Sequence, residues 1–307
     1  MARLSGGRRR RRRLAAQHRR RRALALLGLC ALVLVVIVST QSGGAPASRP
    51  VAVVVQGFFG QINALGGAGP RSLANVERVS RAGAIDRTLA YTPYIRIAGS
   101  QHRELALTFD DGPGPYTPAI LSILQRENAP ATFFEVGVLE RYFHASTSQI
   151  VSDGYVVGDH TQLHAPMSRL SRADQRAQIL EQARAASVYG APFPRLFRPP
   201  YGMWNSTTLA LLRRYRMLMV LWTVDTADYR RPGVAGIVDA AVNGARPGAI
   251  ILLHDAGGER SETVAALPRI IARLRSSGYR LVTVPQLLVD NPAPQDQQIS
   301  AILGTGS

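Results

Sequence analysis

The hexapeptide Thr108-Phe109-Asp110-Asp111-Gly112-Pro113 sets two adjacent carboxylates where the apolar run Leu105-Ala106-Leu107 gives way to a Gly-Pro turn. Neighbouring residues of an extended segment point in different directions. One aspartate can therefore hold a metal ion while the other faces a substrate. Capping the turn would need only one Asp and does not account for two. Downstream stand His160 and His164, Arg198 and His254, each close behind another apolar, strand-like run. Carboxylates and imidazoles in that setting are the donors of a metal-dependent hydrolytic site.

His160-Thr161-Gln162-Leu163-His164 spaces two imidazoles four residues apart. On a helix they would share one face and could bind one ion. By itself the pair is equally two polar surface histidines. Asp111 supplies a third ligand, and a two-His, one-carboxylate set leaves coordination positions open, as catalytic zinc sites require. A bound divalent ion polarises carbonyls and lowers the pKa of its water. Asp110 is then placed as general base.

Phe197-Arg198-Pro199-Pro200-Tyr201-Gly202 reads as a stiff loop, because successive prolines restrict the backbone. It can hold Arg198 and the Tyr201 amide at fixed positions, and Arg198 can pair with Asp110 and keep it ionised. His254 ends the apolar run Leu252-Leu253 and is a candidate general acid. Between them, Asp225 and Asp228 supply carboxylates, and Asp228 is the better candidate to hydrogen-bond His254 and keep it protonated.

These residues need a scaffold that brings distant segments to one place. Short apolar runs alternate with helical patterns from Arg103 to about Asp290. Strands are expected at Leu105–Phe109, Ala131–Glu135, Tyr155–Val157, Leu196–Arg198, Leu218–Val224, Ala249–Leu253 and Tyr279–Val284. Ser171 and Asn205 are N-cap candidates for helices running past Gln182 and to Tyr215, while Gly244 and Gly278 are placed as stops. The alternation predicts an α/β fold, a distorted (β/α) barrel of about seven parallel strands. Barrels gather their chemistry at the C-terminal ends of several strands, which is where Asp110, Asp111, His160, Arg198, Asp225 and His254 fall.

The chain has 307 residues, 46% of them hydrophobic, enough for one substantial core. Its formal charge of +17 is concentrated at one end, since residues 1–22 hold eleven Arg and no acid. The remainder, 26 basic against 20 acidic residues, carries +6. Every basic residue is arginine, a bias of high-GC bacterial coding. The single cysteine, Cys30, excludes an internal disulfide. Behind the arginine tail (1–22), the apolar stretch Ala23–Val38 marks residues 23–40 as a transmembrane or signal-anchor helix. Arginine on its N-terminal flank predicts a single-pass membrane protein with a cytoplasmic N-terminus and an extracytoplasmic remainder. Ala45-Pro46-Ala47 offers cleavage and secretion as the alternative. Residues 41–102 read as a membrane-proximal spacer, 103–290 as the catalytic domain and 291–307 as a tail. No nucleic-acid partner is expected, because such a reading leaves the apolar stretch unexplained.

Thr108–Pro113, His160–His164, Arg198–Tyr201, Asp225–Tyr229 and Leu252–His254 resemble, in order and spacing, the five motifs of the polysaccharide deacetylase family (NodB-homology domain, carbohydrate esterase 4). Ala131-Thr132-Phe133-Phe134 and Gly137 look like its second strand. The resemblance implies removal of N-acetyl groups from an amino-sugar polymer. It implies Asp110 as base, Asp111, His160 and His164 as metal ligands, and Arg198 orienting Asp110. It further implies the Tyr201 backbone amide at the oxyanion and His254 as acid, tuned by Asp228. Zinc is the expected ion, with cobalt or manganese tolerable. Exported topology points to peptidoglycan as substrate. An O-acetyl esterase and a non-catalytic glycan-binding membrane protein are the alternatives. Two positions depart from the family pattern: Asp159 stands where asparagine often precedes the first histidine, and Tyr229 replaces a commoner tryptophan.

Overall fold

The computed structural model describes residues 70–297, with side chains from residue 78 onward. The expected arginine tail, the apolar segment 23–40 and the first part of the expected spacer lie outside the described residues, as do residues 298–307. Among the described residues no helix is long and apolar enough to cross a membrane.

The chain runs through α1 (Pro70–Leu89), β1 (Tyr94–Ile95), β2 (Glu104–Gly112), α2 (Thr117–Arg126), β3 (Thr132–Glu135), α3 (Gly137–Tyr142), α4 (His144–Ser152), β4 (Val156–Asp159) and α5 (Arg172–Val188). It continues through β5 (Leu196–Phe197), α6 (Ser206–Tyr215), β6 (Leu218–Val220), β7 (Val224–Asp225), α7 (Gly233–Asn243), β8 (Ile250–His254), α8 (Ser261–Ser276), β9 (Arg280–Leu281) and α9 (Val284–Asp290). The expected caps are in place. Ser171 accepts from the Asp174 amide at 3.2 Å, and Asn205 closes a capping box with Thr208. Gly278, with φ of 79°, stops α8.

Every strand pairing among the described residues is parallel, in the order β1-β6-β5-β4-β3-β2-β8-β7, with β9 on the start of β2. Helices cover the sheet's outer face, so its strands are buried on both sides. On β2, Leu105, Leu107 and Phe109 pack outward with Ile120 and Leu124 of α2 and Leu267 and Ile270 of α8. Ala106 faces the other way, into a cluster with Phe134, Leu196, Leu218, Val220 and Ile250. The period of two thus aims Thr108 and Asp110 inward as well.

Leu218–Val224, expected as one strand, is two. β6 pairs with β5 and β1, whereas β7 pairs with β8 at the far end of the order. Thr223 makes the crossing, its amide donating to Ile250 O at 2.9 Å and its hydroxyl to Arg96 O at 2.5 Å. A single segment that bonds both ends of a sheet forces that sheet to curl, and the distorted barrel follows. Tyr279–Val284 is also shorter than expected: only Arg280–Leu281 pairs, beside Glu104–Leu105, before the chain turns into α9 at the Thr283 cap.

The folded unit extends past residues 103–290 at both ends. Arg81 Nε donates to Gln286 Oε1 at 3.1 Å, tying α1 to α9. Tyr94 OH donates to Gln297 O at 2.8 Å, and the Gln297 side chain accepts from the amides of Arg96 and Ile97 at 2.7 and 3.0 Å. β1 is only two residues long and fills the curl beside β6, so its flanking amides need partners from elsewhere. The strap of residues 291–297 that follows α9 supplies them through Gln297. Gln297→Ala is therefore expected to lower unfolding stability by about 1–3 kcal/mol. A urea midpoint equal to that of the parent protein would remove this role for the strap.

Candidate active site

The last turn of β2 breaks the alternation that the rest of the strand obeys. Its pairing with β3 steps from Asp110–Phe134 directly to Gly112–Glu135, leaving Asp111 as the extra residue of a bulge. Asp111 has φ of 69°, a left-handed conformation that Asp tolerates better than most side chains. A bulge re-aims the residue it carries. Asp111 Oδ1 consequently lies 3.5 Å from His160 Nε2, and Asp110 Oδ2 lies 3.8 Å from the same nitrogen. The two carboxylates converge instead of diverging.

His160 and His164 do not lie on a helix. They occupy the loop after β4, where Thr161 (φ 72°) and His164 (φ 54°) turn the chain back on itself. Asp159, wholly buried, accepts the Thr161 amide at 2.7 Å and fixes the first bend. His164 Nε2 then reaches Asp111 Oδ1 at 3.0 Å, and the two imidazole centroids stand 5.0 Å apart. A loop meets the requirement because His160 is also anchored from behind: its Nδ1 donates to the Arg198 carbonyl at 2.7 Å.

That anchor decides what Nε2 can do. A carbonyl only accepts, so Nδ1 carries a proton and Nε2 is the nitrogen left to face Asp111. One donor atom from each of Asp111, His160 and His164 lies within 4.8 Å of the others. Burial works to raise the Asp111 carboxyl, but hydrogen bonds from His160 and His164 prevail and hold it well below the usual carboxylate range. Protons on those ring nitrogens and a metal ion are alternatives for the same lone pairs. The donor set of two imidazoles and one carboxylate fits a divalent ion with positions to spare.

Arg198 is completely buried directly after β5. Its Nη1 donates to Asp110 Oδ1 at 2.6 Å and to Thr108 Oγ1 at 2.9 Å. Its Nε donates to Val220 O at 3.0 Å, and the guanidinium lies 4.1 Å from the centroid of Phe134. Burial lowers the guanidinium's pKa and the Asp110 charge opposes the shift, so the ion pair persists. In the next turn Tyr201 takes φ of 59°, while the Gly202 and Met203 amides donate to Pro199 and Pro200 carbonyls. The Tyr201 ring is exposed and meets the His164 ring edge-on at 4.7 Å.

His254 is the register partner of Asp110 on the neighbouring strand β8. Its Nδ1 bonds to Asp228 Oδ1 at 2.7 Å, and its amide donates to Asp228 Oδ2 at 2.8 Å. Thr263 Oγ1 donates to the same Oδ2 at 2.8 Å, fixing the buried carboxylate. Burial of His254 works against its charged form, but the bond to Asp228 and the nearby carboxylate charges push its pKa up to about 9. Tyr229 covers the ring, edge-on at 5.3 Å. Asp225, the other carboxylate of this segment, is exposed and caps the turn through the Ala227 amide at 2.8 Å.

The structure thus gathers Asp110, Asp111, His160, His164 and Arg198 into one cluster, with Tyr201 at its rim and the His254–Asp228 pair beside it. Three supporting residues are given no role by the sequence, although Thr108 opens the Asp110-Asp111 hexapeptide and Phe134 lies in the second-strand motif. Thr108 bridges Arg198 and the Ile251 carbonyl. Phe134 stacks on the guanidinium. Asp255, wholly buried, accepts from Thr117 Oγ1 at 2.5 Å, and burial first, with the Asp111 and Asp110 charges adding, pushes its carboxyl up to about 7. An acid immediately after His254 was the one available signal for the last of these.

A family model described as polysaccharide deacetylase matches residues 98–220. The chain is 38% identical over 187 residues to a peptidoglycan-N-acetylglucosamine deacetylase of Bacillus cereus, covering 60% of this chain and 87% of that one. It is 36% identical over 218 residues to a chitooligosaccharide deacetylase of Sinorhizobium fredii, covering 65% of this chain and 99% of that one. The solved structure of a family 4 carbohydrate esterase from Streptomyces lividans, in complex with acetate, superposes with a TM-score of 0.57 at 32% identity over 60% of this chain and 95% of that one. The family model ends before Asp228 and His254, which are placed by geometry.

The His254–Asp228 pair makes a pH-dependent prediction. In metal-free protein the His254 ring should titrate near 9 by NMR, and in Asp228→Asn it should fall back toward the ordinary imidazole value of about 6.5. A raised folded-state pKa stabilises fully below the unfolded value and loses that contribution as pH rises through the folded one. The stability deficit of Asp228→Asn should therefore shrink between pH 7 and 10. A wild-type midpoint at the ordinary value would remove the charged pair.

Proposed function

The chain belongs to the polysaccharide deacetylase family and is a hydrolase of amide carbon–nitrogen bonds, and we propose that it removes N-acetyl groups from amino-sugar residues of peptidoglycan in a metal-dependent reaction. The observation that carries this reading is the convergence of three metal donors within 4.8 Å beside a carboxylate held by Arg198 at 2.6 Å. Asp111, His160 and His164 would hold the ion, with zinc suited to the nitrogen and oxygen donors and cobalt or manganese as substitutes. When bound, such an ion supplies Lewis-acid polarisation and an acidified water.

Asp110 spends Oδ1 on Arg198 and turns Oδ2 toward the cluster, where it takes the proton of the attacking water. Arg198 fixes Oδ1 in place without offering it a transferable proton. His254 is committed to Asp228 through Nδ1, so Nε2 delivers a proton to the departing amine. The Tyr201 backbone N–H serves the oxygen that gains charge as the tetrahedral carbon forms. A C–O bond forms from the water and the C–N bond breaks; one water proton goes to Asp110 and one proton leaves His254, so acetic acid and a free amine result, and transfer of the Asp110 proton back to His254 through solvent resets the site. The half-exposed rings of Tyr201 and Tyr229 offer apolar faces to a pyranose on either side.

The same reading puts the domain outside the cell, held by residues 23–40 with residues 1–22 in the cytoplasm, or released after cleavage near Ala45-Pro46-Ala47. It is supported by the arginine flank and the apolar run behind it. Peptidoglycan would then be the acetylated amino-sugar polymer within reach.

Acetate release by the purified full chain from peptidoglycan, chitin oligomers and acetylated xylan tests the proposal. Peptidoglycan should yield acetate, a chelator should abolish release and zinc should restore it. Asp110→Asn and His254→Ala should each lower kcat by roughly 10²–10⁴-fold. Release from xylan alone would move the assignment to an O-acetyl esterase. Glycan binding without any acetate would make the chain a non-catalytic binder. Activity indifferent to chelation and to His160→Ala would remove the metal.

A further inference from the structure

We propose that the loop Ala256–Arg260 is a clamp on Asp111, with Gly257 and the buried Arg260 as positioning residues; this rests on the reading of Asp111 as a metal ligand. The loop leaves the end of β8 immediately after His254 and Asp255. Gly257 has φ of 73°, and a Cβ at that position would stand 2.2 Å from Asp111 Oδ2, 3.0 Å from its Cγ and 3.1 Å from its Cβ. The loop backbone therefore lies against the whole carboxylate. Asp111 has little freedom to yield, because its Oδ1 is engaged by His164 at 3.0 Å and its backbone sits in the bulge at φ of 69°. Any side chain at 257 would push the carboxylate off the two histidines.

Arg260 explains why the loop stays there. Its side chain is buried, and its guanidinium donates to three carbonyls of this one loop: Ala256 at 2.8 Å through Nε, Glu259 at 2.7 Å through Nη1 and Gly257 at 3.0 Å through Nη2. The planar fork of arginine suits that task, and a lysine ammonium cannot reproduce it. The outer end is tied down by Tyr116 OH, which donates to Glu259 Oε1 at 2.6 Å. At the inner end, a Cβ on Gly112 would lie 2.3 Å from Asp255 Oδ2. Asp111 and its successor are thus both braced by the residues that follow His254. Supports of this kind orient a ligand before the ion arrives.

The test uses the full chain, with zinc affinity from competition against a chromophoric chelator and the visible spectrum of the cobalt form as a readout of ligand geometry. Gly257→Ala should weaken zinc binding by roughly 10–100-fold and alter the cobalt spectrum. Arg260→Met and Arg260→Lys should weaken it in the same direction, and they carry the test should Gly257→Ala fail to fold. Gly154→Ala is the control: Gly154 has φ of 81°, and a methyl group there would meet nothing within 4 Å, so it incurs the same left-handed backbone cost without a collision. It should bind zinc like the parent. Folded Gly257 and Arg260 variants with parental affinity and cobalt spectrum would overturn the clamp, as would an equal loss in Gly154→Ala. A parent chain that binds no zinc would instead remove the ligand reading beneath it.

Discussion

The buried Arg198–Asp110 pair is the interaction on which the remaining geometry depends. Taking a guanidinium and a carboxylate out of water costs several kcal/mol per ion, and only close pairing with further hydrogen bonds offsets it. Here the offsets come from different parts of the fold: Asp110 and Thr108 on β2, the Val220 carbonyl on β6, and the ring of Phe134 on β3. Arg198 also holds His160 through its own carbonyl. One residue therefore sets the position of the proposed base, the orientation of a proposed ligand and the docking of the β6 end against β2. Lysine has neither the donors nor the plane for this.

The second constraint is the bulge at Asp111. A regular strand would send one of the two aspartates into the helix layer, among Ile120, Leu124 and Leu267, where an unpaired carboxylate is costly. Inserting one residue into the pairing with β3 brings both to the interior side. The bulge sits where the strand meets Gly112 and Pro113, so the irregularity needed for the site coincides with the place where the chain leaves the sheet.

Much of this was legible in the sequence because it depended on local signals. Ser171, Asn205 and Gly278 act where a capping side chain or a left-handed glycine is expected, and the apolar runs fall on strands. The residues gathered at the strand ends were legible as well, since each polar side chain follows an apolar run. What escaped depends on contacts far apart in the chain. The split of Leu218–Val224 follows from closing the sheet, which no local pattern encodes. The spacing of His160 and His164 is consistent with a helix, but the loop is dictated by the Arg198 carbonyl and by Asp159. Residues 70–102 read as a spacer because they are rich in small residues, yet β1 lies beside β6 and borrows its partners from Gln297. Gly257 is silent because its effect is steric and falls on Asp111, more than a hundred positions away.

The charges of the site divide into two matched pairs, Asp110 with Arg198 and Asp228 with His254, and one carboxylate whose partners are exchangeable. Asp110 is matched by Arg198, which cannot release its proton, and Asp228 is matched by His254, whose pKa is pushed up to about 9. Asp255, pushed up to about 7 chiefly by burial, carries less than a full negative charge near neutrality. Asp111 Oδ1 faces two imidazole nitrogens, His160 Nε2 at 3.5 Å and His164 Nε2 at 3.0 Å. A cation entering there would displace protons and leave the other two pairs intact. That separation allows the proposed base, the proposed acid and the proposed metal-binding carboxylate to share one site without neutralising one another. It also explains why two adjacent aspartates, identical in chemistry, need such different neighbours.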